Sequence, residues 1–254
     1  MNKELYLEFI KRVLTDTLND EKIRNDFFSF KKLPSEDEII NILKTSINPK
    51  RLDGLDWPER AHTMIGIKRL NNLHNCLDII RKNKIEGDIV ETGVWRGGAS
   101  IFVKIYCDLY DLNKKVFVVD SFEGLPPPEH PEDNGDKHYT IDFLKVSLNE
   151  VKNNFSSYNC LDNNVKFLKG WFADTLPNNP EIEKIAILRM DGDMYKSTMD
   201  VFDSCYDKVV SGGQIIIDDY CLPTCKKAVE EFRQQNKLTN PFTIIDGCGI
   251  FWEK

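Results

Sequence analysis

The sequence predicts an α/β protein: a mainly parallel sheet covered by helices on both faces, with a helical extension in front of it. Three observations carry that prediction. From Gly87 onward, short apolar runs alternate with amphipathic stretches, the pattern of strands joined by crossover helices. Two of the runs, IAILRMDGDMYKST from Ile185 and GGQIIIDDY from Gly212, are too short for helices and stop abruptly on aspartates. The chain then closes with PFTIIDGCGIFWEK, where Asp246-Gly247 sits between two short apolar runs, a hairpin signal. Together these predict a seven-stranded sheet with one antiparallel strand.

Taken in order, residues 4–19 place Leu5, Phe9, Ile10, Val13, Leu14 and Leu18 at helical spacing. A short helix is expected over Ile23–Phe30. A third starts at Ser35, which with Glu38 forms a capping-box pattern ahead of Ile39, Ile40 and Leu43. A polar segment with turn signals at Asp53-Gly54 and Trp57-Pro58 follows, and Ile67, Leu70, Leu73, Leu77 and Ile80 then mark an amphipathic helix. Strands are expected at Asp88–Thr92, Lys115–Val119, Val165–Leu168, the Ile185 run and the Gln214 run. Helices are expected at Gly98–Tyr110, near Asp142–Ser156, at Ser197–Tyr206 and at Thr224–Gln235. The division is residues 1–84 as helical extension and lid, and 85–254 as the sheet domain.

Composition narrows the function classes. A chain of 254 residues, 41% hydrophobic and 30% charged, has enough apolar material for a sizeable core. Its net charge of −7 argues against nucleic acid, which demands clustered Lys and Arg. No apolar run reaches membrane-span length, and the N-terminal stretch interleaves charges as no signal peptide does. Seven cysteines, at 76, 107, 160, 205, 221, 225 and 248, lack regular spacing, which predicts reduced thiols in a cytoplasmic protein. Cys221 and Cys225 have no second pair to complete a zinc site.

The chemistry is expected at the strand ends, where open parallel sheets bind ligands. In GDIVETGVWRGGAS a strand ends near Glu91, Gly93 starts a turn, and Gly97-Gly98 open a helix whose N-terminus favours a negative group. The G-x-x-x-G-G spacing is not the pyrophosphate pattern of dinucleotide binders. Asp120 ends the second strand, where a carboxylate either takes ribose hydroxyls or caps a helix. Gly170, Trp171 and Phe172 stand at a third strand end and can flank a flat base. Asp191 and Asp193 end one run, Asp218 and Asp219 the other. If those strands are neighbours, four carboxylates converge, and an all-oxygen donor set without Cys or His favours Mg²⁺ or Mn²⁺. Adjacent residues on a strand point to opposite faces, so Asp218 and Asp219 share one ion only if the strand has ended before them. Of Asp191 and Asp193, one can ligate the ion and the other take a proton from a substrate hydroxyl. Of the four histidines, His74 reads as structural, while His130 and His138 lie in the insertion SFEGLPPPEHPEDNGDKH and are candidate acid–base groups.

These motifs, with RLDGLDWPERAHTMIGIKRLNNL, resemble in order the macrocin O-methyltransferase (TylF/MycF-type) family. The resemblance runs from about Arg51 to the C-terminus and implies a Rossmann-like class I methyltransferase fold using S-adenosylmethionine and Mg²⁺. It implies Asp191, Asp218 and Asp219 as metal ligands and Asp193 as general base, with His138 near the sugar. The methionine end of the cofactor would meet Glu91 and Gly93, and Thr92 and Ser100 would also bind the cofactor. The ribose would meet Asp120, and the adenosine Ser121, Gly170, Trp171 and Phe172, with Asp191 also beside the cofactor. Ala61–Met64 would close over it, with Met64 in contact. The implied acceptor is a small-molecule hydroxyl, that of a sugar, and the extension suggests a homo-oligomer, dimer or higher. A phenolic or catechol hydroxyl would suit the same metal and base. A D-x-D glycosyltransferase would leave the glycine turn and second aspartate pair unexplained. An NAD(P)-dependent reductase lacks its pyrophosphate glycines here, and a non-catalytic cofactor-binding regulator would not need the carboxylates.

Overall fold

The computed structural model describes residues 2–18, 20–177 and 179–254. The extension contains helices α1 (Lys3–Leu14), α2 (Glu21–Phe28), α3 (Glu36–Thr45) and α4 (Pro49–Asp53). The α3 capping box forms as read: the Ser35 hydroxyl accepts from Glu38 N–H, and the Glu38 carboxylate accepts from Ser35 N–H. Helix α1 stops five residues before the expected end, because Asp16 turns into the left-handed region at φ 52°. The short α4, started by an Asn48 cap with Pro49 behind it, is not anticipated by hydrophobic spacing.

Helix α5 (Ile67–Lys82) leads into the sheet, whose strands are β1 (Asp88–Thr92), β2 (Val116–Asp120), β3 (Val165–Lys169), β4 (Ile185–Met190), β5 (Val209–Ile217), β6 (Thr243–Ile244) and β7 (Ile250–Glu253). Their order is β3-β2-β1-β4-β5-β7-β6. The first five run parallel, and β7 lies antiparallel to β5. The expected seven strands and C-terminal hairpin are therefore present. Helices α6 (Gly98–Leu109), α7 (Leu148–Ser157), α8 (Phe172–Thr175), α9 (Tyr195–Cys205) and α10 (Pro223–Gln235) complete the chain. Helix α7 begins later than expected: a 3-10 turn covers Asp142–Leu144, and Ser147 provides the cap. The four-residue α8 is too short to leave a periodic signal.

The pleat divides the core in two. Ile89, Val116, Val118, Ile187 and Ile216 pack on one side with α5 and α6 residues such as Leu73 and Phe102. Val90, Phe117, Leu188, Ile215 and Ile217 pack on the other with Val201 and Val229 of α9 and α10. Strands β4 and β5 are neighbours in register, Met190 opposite Ile217, so both aspartate runs leave the sheet at one edge.

The cysteines depart from the expectation of reduced thiols. Cys221 and Cys248 form a disulfide that ties the loop after β5 to the hairpin turn, while the other five are free and buried. Their sequence separation of 27 hid a pairing that only the β5–β7 neighbourhood creates. Among the described residues, no helix is long and apolar enough to cross a membrane.

Candidate active site

Five segments converge at the carboxyl edge: the glycine turn after β1, Asp120 at the end of β2, the Trp171 segment after β3, and the aspartate pairs after β4 and after β5. Gly93 adopts φ +78°, and a Cβ built there would stand 1.6 Å from the Asp191 carbonyl oxygen. Only glycine lets the two strand ends close this tightly. A cavity of about 390 Å³, within the usual size of small-molecule sites, opens over the edge. Met64, Gly93, Asp120, Ser121, Trp171, Phe172, Asp191 and Asp193 line it. Glu91, Thr92 and Ser100 are buried and do not line it, and neither do Gly170 and His138.

Asp120 combines both readings of its position. Its carboxylate accepts from Val94 N–H at 2.8 Å and Phe122 N–H at 2.7 Å, which fixes the glycine turn, and it also faces the cavity. Burial pushes its pKa up, and the backbone donors oppose that rise. Gly170 donates its N–H to the Asp120 carbonyl at 3.0 Å, which sets the adjoining Trp171-Phe172 wall.

The four aspartates divide between the two faces of the sheet edge. Asp191, Asp193 and Asp219 bring one ligand atom each within 4.8 Å of one another. Asp218 is not in that group. It keeps the pleat of β5 for one more residue, its N–H donating to Met190 O at 2.9 Å, and so points to the opposite face. There Arg189 donates to it at 2.5 Å and Arg69 donates to its other oxygen. Arg189, only 3% exposed, also holds Glu91 at 2.6 Å and Asp191 at 3.0 Å, and Arg69 holds Asp246 of the hairpin turn at 3.0 Å. The Ser100 hydroxyl donates to the second Glu91 oxygen.

The electrostatic consequences differ in sign. Burial and then repulsion from Asp218 raise Asp191 to about 6. Burial and then Asp191 raise Asp193 to about 7, and the same two causes hold Asp219 well above the usual carboxylate range. Burial alone would also raise Asp218, but Arg189 and Arg69 outweigh it and bring Asp218 below that range. Burial, only partly offset by Arg189, lifts Glu91 to about 7.

The histidines separate as well. The His138 ring meets the Asp136 carboxylate at 2.8 Å, which raises its pKa, and Asp193 adds to the rise. His130 stacks on Tyr195 with centroids 4.6 Å apart. His74 packs edge-on against Phe102 and Tyr106, and burial lowers it to about 4, as suits a structural residue.

Residues not anticipated from the sequence are Arg69, Arg189, Trp95, which lines the cavity, and Asp133, which accepts from the first amides of α9. A signal existed for two of them. Arg189 is a lone charge inside an apolar strand, and Arg69 lies at helical spacing with Leu73, Cys76 and Ile80 on the buried side of α5. A buried cation requires carboxylate partners.

The family profile described as Macrocin-O-methyltransferase (TylF) matches residues 3–254. The chain belongs to this family. Mycinamicin III 3''-O-methyltransferase of Micromonospora griseorubida is 41% identical to it over 258 residues, covering 99% of this chain and 96% of that protein. The 8-demethyl-8-(2,3-dimethoxy-alpha-L-rhamnosyl)-tetracenomycin-C 4'-O-methyltransferase of Streptomyces olivaceus is 40% identical over 256 residues, covering 98% of this chain and 92% of that protein. The solved structure of the O-methyltransferase NovP shares 39% identity and superposes with a TM-score of 0.86, covering 100% of this chain and 99% of that one. This TylF-family protein is thus an O-methyltransferase with the Rossmann-like class I methyltransferase fold.

Proposed function

We propose that the protein moves a methyl group from S-adenosylmethionine to a hydroxyl of a sugar carried by a small natural product, with Mg²⁺ at the aspartates. The observation that carries this reading is one cavity of cofactor size edged by Asp191 and Asp193 of the carboxylate cluster. Three crowded carboxylates with raised pKa values suit a hard divalent cation, which relieves their repulsion. The rhamnosyl group in the name of the Streptomyces olivaceus relative supports a sugar as acceptor.

Asp191 and Asp219, already facing each other, would hold the ion. Asp218, expected from the sequence as a third ligand, is turned to Arg189 and Arg69 and would instead act behind the ion, fixing the Arg189 that also reaches Asp191. When bound, the ion supplies Lewis-acid stabilisation of the alkoxide. Asp193, raised toward neutrality, is the group that accepts the hydroxyl proton. Trp171, Phe172 and Ser121 would seat the adenosine, Gly170 setting their backbone, and Asp120 would take the ribose. Gly93, with Glu91, Thr92 and Ser100 shaping the strand end behind it, would bound the methionine end. Met64 and the segment from Ala61 would cover the site and exclude water, and His138 would stand toward the acceptor. Phe28 and Leu33 on the extension, 86% and 92% exposed, offer an apolar contact for a homo-oligomer.

Calorimetric titration with S-adenosylhomocysteine, and separately with Mg²⁺, tests the reading, followed by mass-spectrometric detection of a methyl gained by glycosylated acceptors. Binding of S-adenosylhomocysteine with turnover that chelator abolishes is the expected result. Turnover indifferent to chelation would remove the metal, and methylation of catechols in preference to sugars would replace the acceptor.

A further inference from the structure

The loop that carries Asp193 is held in a conformation that it would not adopt by itself. Asp193 has φ +56°, a left-handed value costly for a residue with a side chain. Such a conformation persists only where its surroundings impose it, and two contacts do so directly. The Asp193 N–H donates to Asp219 Oδ2 at 3.3 Å, and the Asp193 carbonyl accepts from the Thr224 hydroxyl at 3.0 Å. The third restraint comes from farther away in the chain. Helix α9 starts two residues after Asp193, and its own N-cap residue, Met194, has no side-chain oxygen to offer. The first amides of α9 are instead taken by Asp133, 62 residues earlier. Its Oδ1 accepts from Tyr195 N–H at 2.7 Å and its Oδ2 from Lys196 N–H at 3.0 Å. Asp133 is 1% exposed, so these bonds are shielded from water.

Its neighbours grip the same place. The His130 ring lies on Tyr195, and Lys227 of α10 pairs with Glu132 at 2.7 Å. Asp133 also divides the insertion into two functional parts. Before it, Leu125, Pro126, Pro127 and Glu129 line the cavity; after it, Asp136 holds His138. One carboxylate therefore pins the cavity wall to the loop bearing the proton acceptor.

We propose that Asp133 is a positioning residue for methyl transfer: by capping α9 from the insertion, it sets the place of Asp193 relative to the acceptor side of the cavity. The inference builds on the reading of Asp193 as the proton acceptor. It assigns no cofactor contact to Asp133, so cofactor binding and turnover should respond differently to its loss.

The test uses Asp133→Ala and Asp133→Asn in the full chain, with mycinamicin III as the acceptor probe. S-adenosylhomocysteine affinity, kcat, KM and amide hydrogen exchange at residues 195 and 196 are measured in parallel. Asp133→Ala should lose on the order of 10²-fold in kcat, the scale of a misplaced catalytic group, with S-adenosylhomocysteine affinity unchanged and faster exchange at the two amides. Asp133→Asn, whose side-chain oxygen still accepts one of the two bonds, should recover part of the loss. The proposal is overturned if Asp133→Ala keeps wild-type kcat and exchange, if cofactor affinity falls in step with kcat, or if Asn rescues nothing. Should the wild-type protein bind no S-adenosylhomocysteine and methylate nothing, it is the proposed function that fails. Exchange at residues 195 and 196 then decides alone whether Asp133 holds the Asp193 loop.

Discussion

The two faces of the β4–β5 edge hold acidic groups of the same kind and treat them in opposite ways. On the α5 side, Glu91 and Asp218 are buried, and Arg189 and Arg69 neutralise them within the protein. On the α9 side, Asp191, Asp193 and Asp219 crowd together, with Arg189 reaching only the first of them. Adjacent residues, Asp218 and Asp219, thus end with pKa values displaced in opposite directions. The difference teaches that burial alone does not mark a functional carboxylate. The informative one is the carboxylate whose counter-charge the fold does not supply.

Substitutions can break this contrast. Asp219→Asn should cost the most, on the order of 10³-fold in turnover, because it would remove a ligand of the proposed Mg²⁺, a Lewis acid worth several kcal/mol. S-adenosylhomocysteine affinity measured by calorimetry should stay unchanged, and loss of that affinity would mean that Asp219 shapes the fold. Asp193→Asn should lower kcat while leaving Mg²⁺ affinity intact, whereas Asp191→Asn should weaken Mg²⁺; the reverse pattern would exchange their roles. On the paired face, Arg189→Met strands Glu91 and Asp218, and denaturant unfolding should show about 3–5 kcal/mol of lost stability. A loss near zero would show that those carboxyls simply protonate. Asp120→Ala should weaken S-adenosylhomocysteine by about 1.5–3 kcal/mol, with Mg²⁺ affinity untouched.

The smallest effect is in pH dependence, and its sign separates the two faces. Asp191 and Asp193 have folded pKa values raised to about 6 and about 7, so their contribution to stability is present when protonated and is lost as pH rises through that window. Mg²⁺ should therefore raise Tm by more near about pH 8 than near about pH 6. Asp218 runs the other way: its folded pKa lies below 3.8, so its stabilisation holds above that value and disappears on acidification. No Mg²⁺ shift at either pH would mean that the cluster does not bind the ion, and equal shifts would mean that binding is not linked to ionisation of Asp191 and Asp193.

Most of the sheet was legible because it depends on local pattern. The five parallel strand runs could be read from alternation and length, and four of them with the acid near their end, whereas the neighbouring of β4 and β5 stayed a condition that the sheet order meets. What stayed hidden depends on contacts far apart in sequence. The Cys221–Cys248 bond needs the hairpin to return beside β5. The sorting of Asp218 away from its companions depends on one extra pleated residue and on Arg69, 149 positions earlier. Asp133 looked like one acid among several in a polar insertion, because a cap supplied from 62 residues away leaves no spacing signature. Short α4 and α8 carry too few residues for any periodicity to show.

The contact between Gly93 and Asp191 has a bearing on how such a protein can be redesigned. With the Asp191 carbonyl standing where a Cβ of residue 93 would be, the turn after β1 and the acid loop after β4 behave as one machined part. No loop motion can change the spacing between the two without prising the strand ends apart. Acceptor preference would then be adjusted on other walls of the same cavity, among them Met64 on the extension side and Leu125–Pro127 on the insertion. Swapping those walls between relatives should retune which hydroxyl is presented while the engine underneath stays as built.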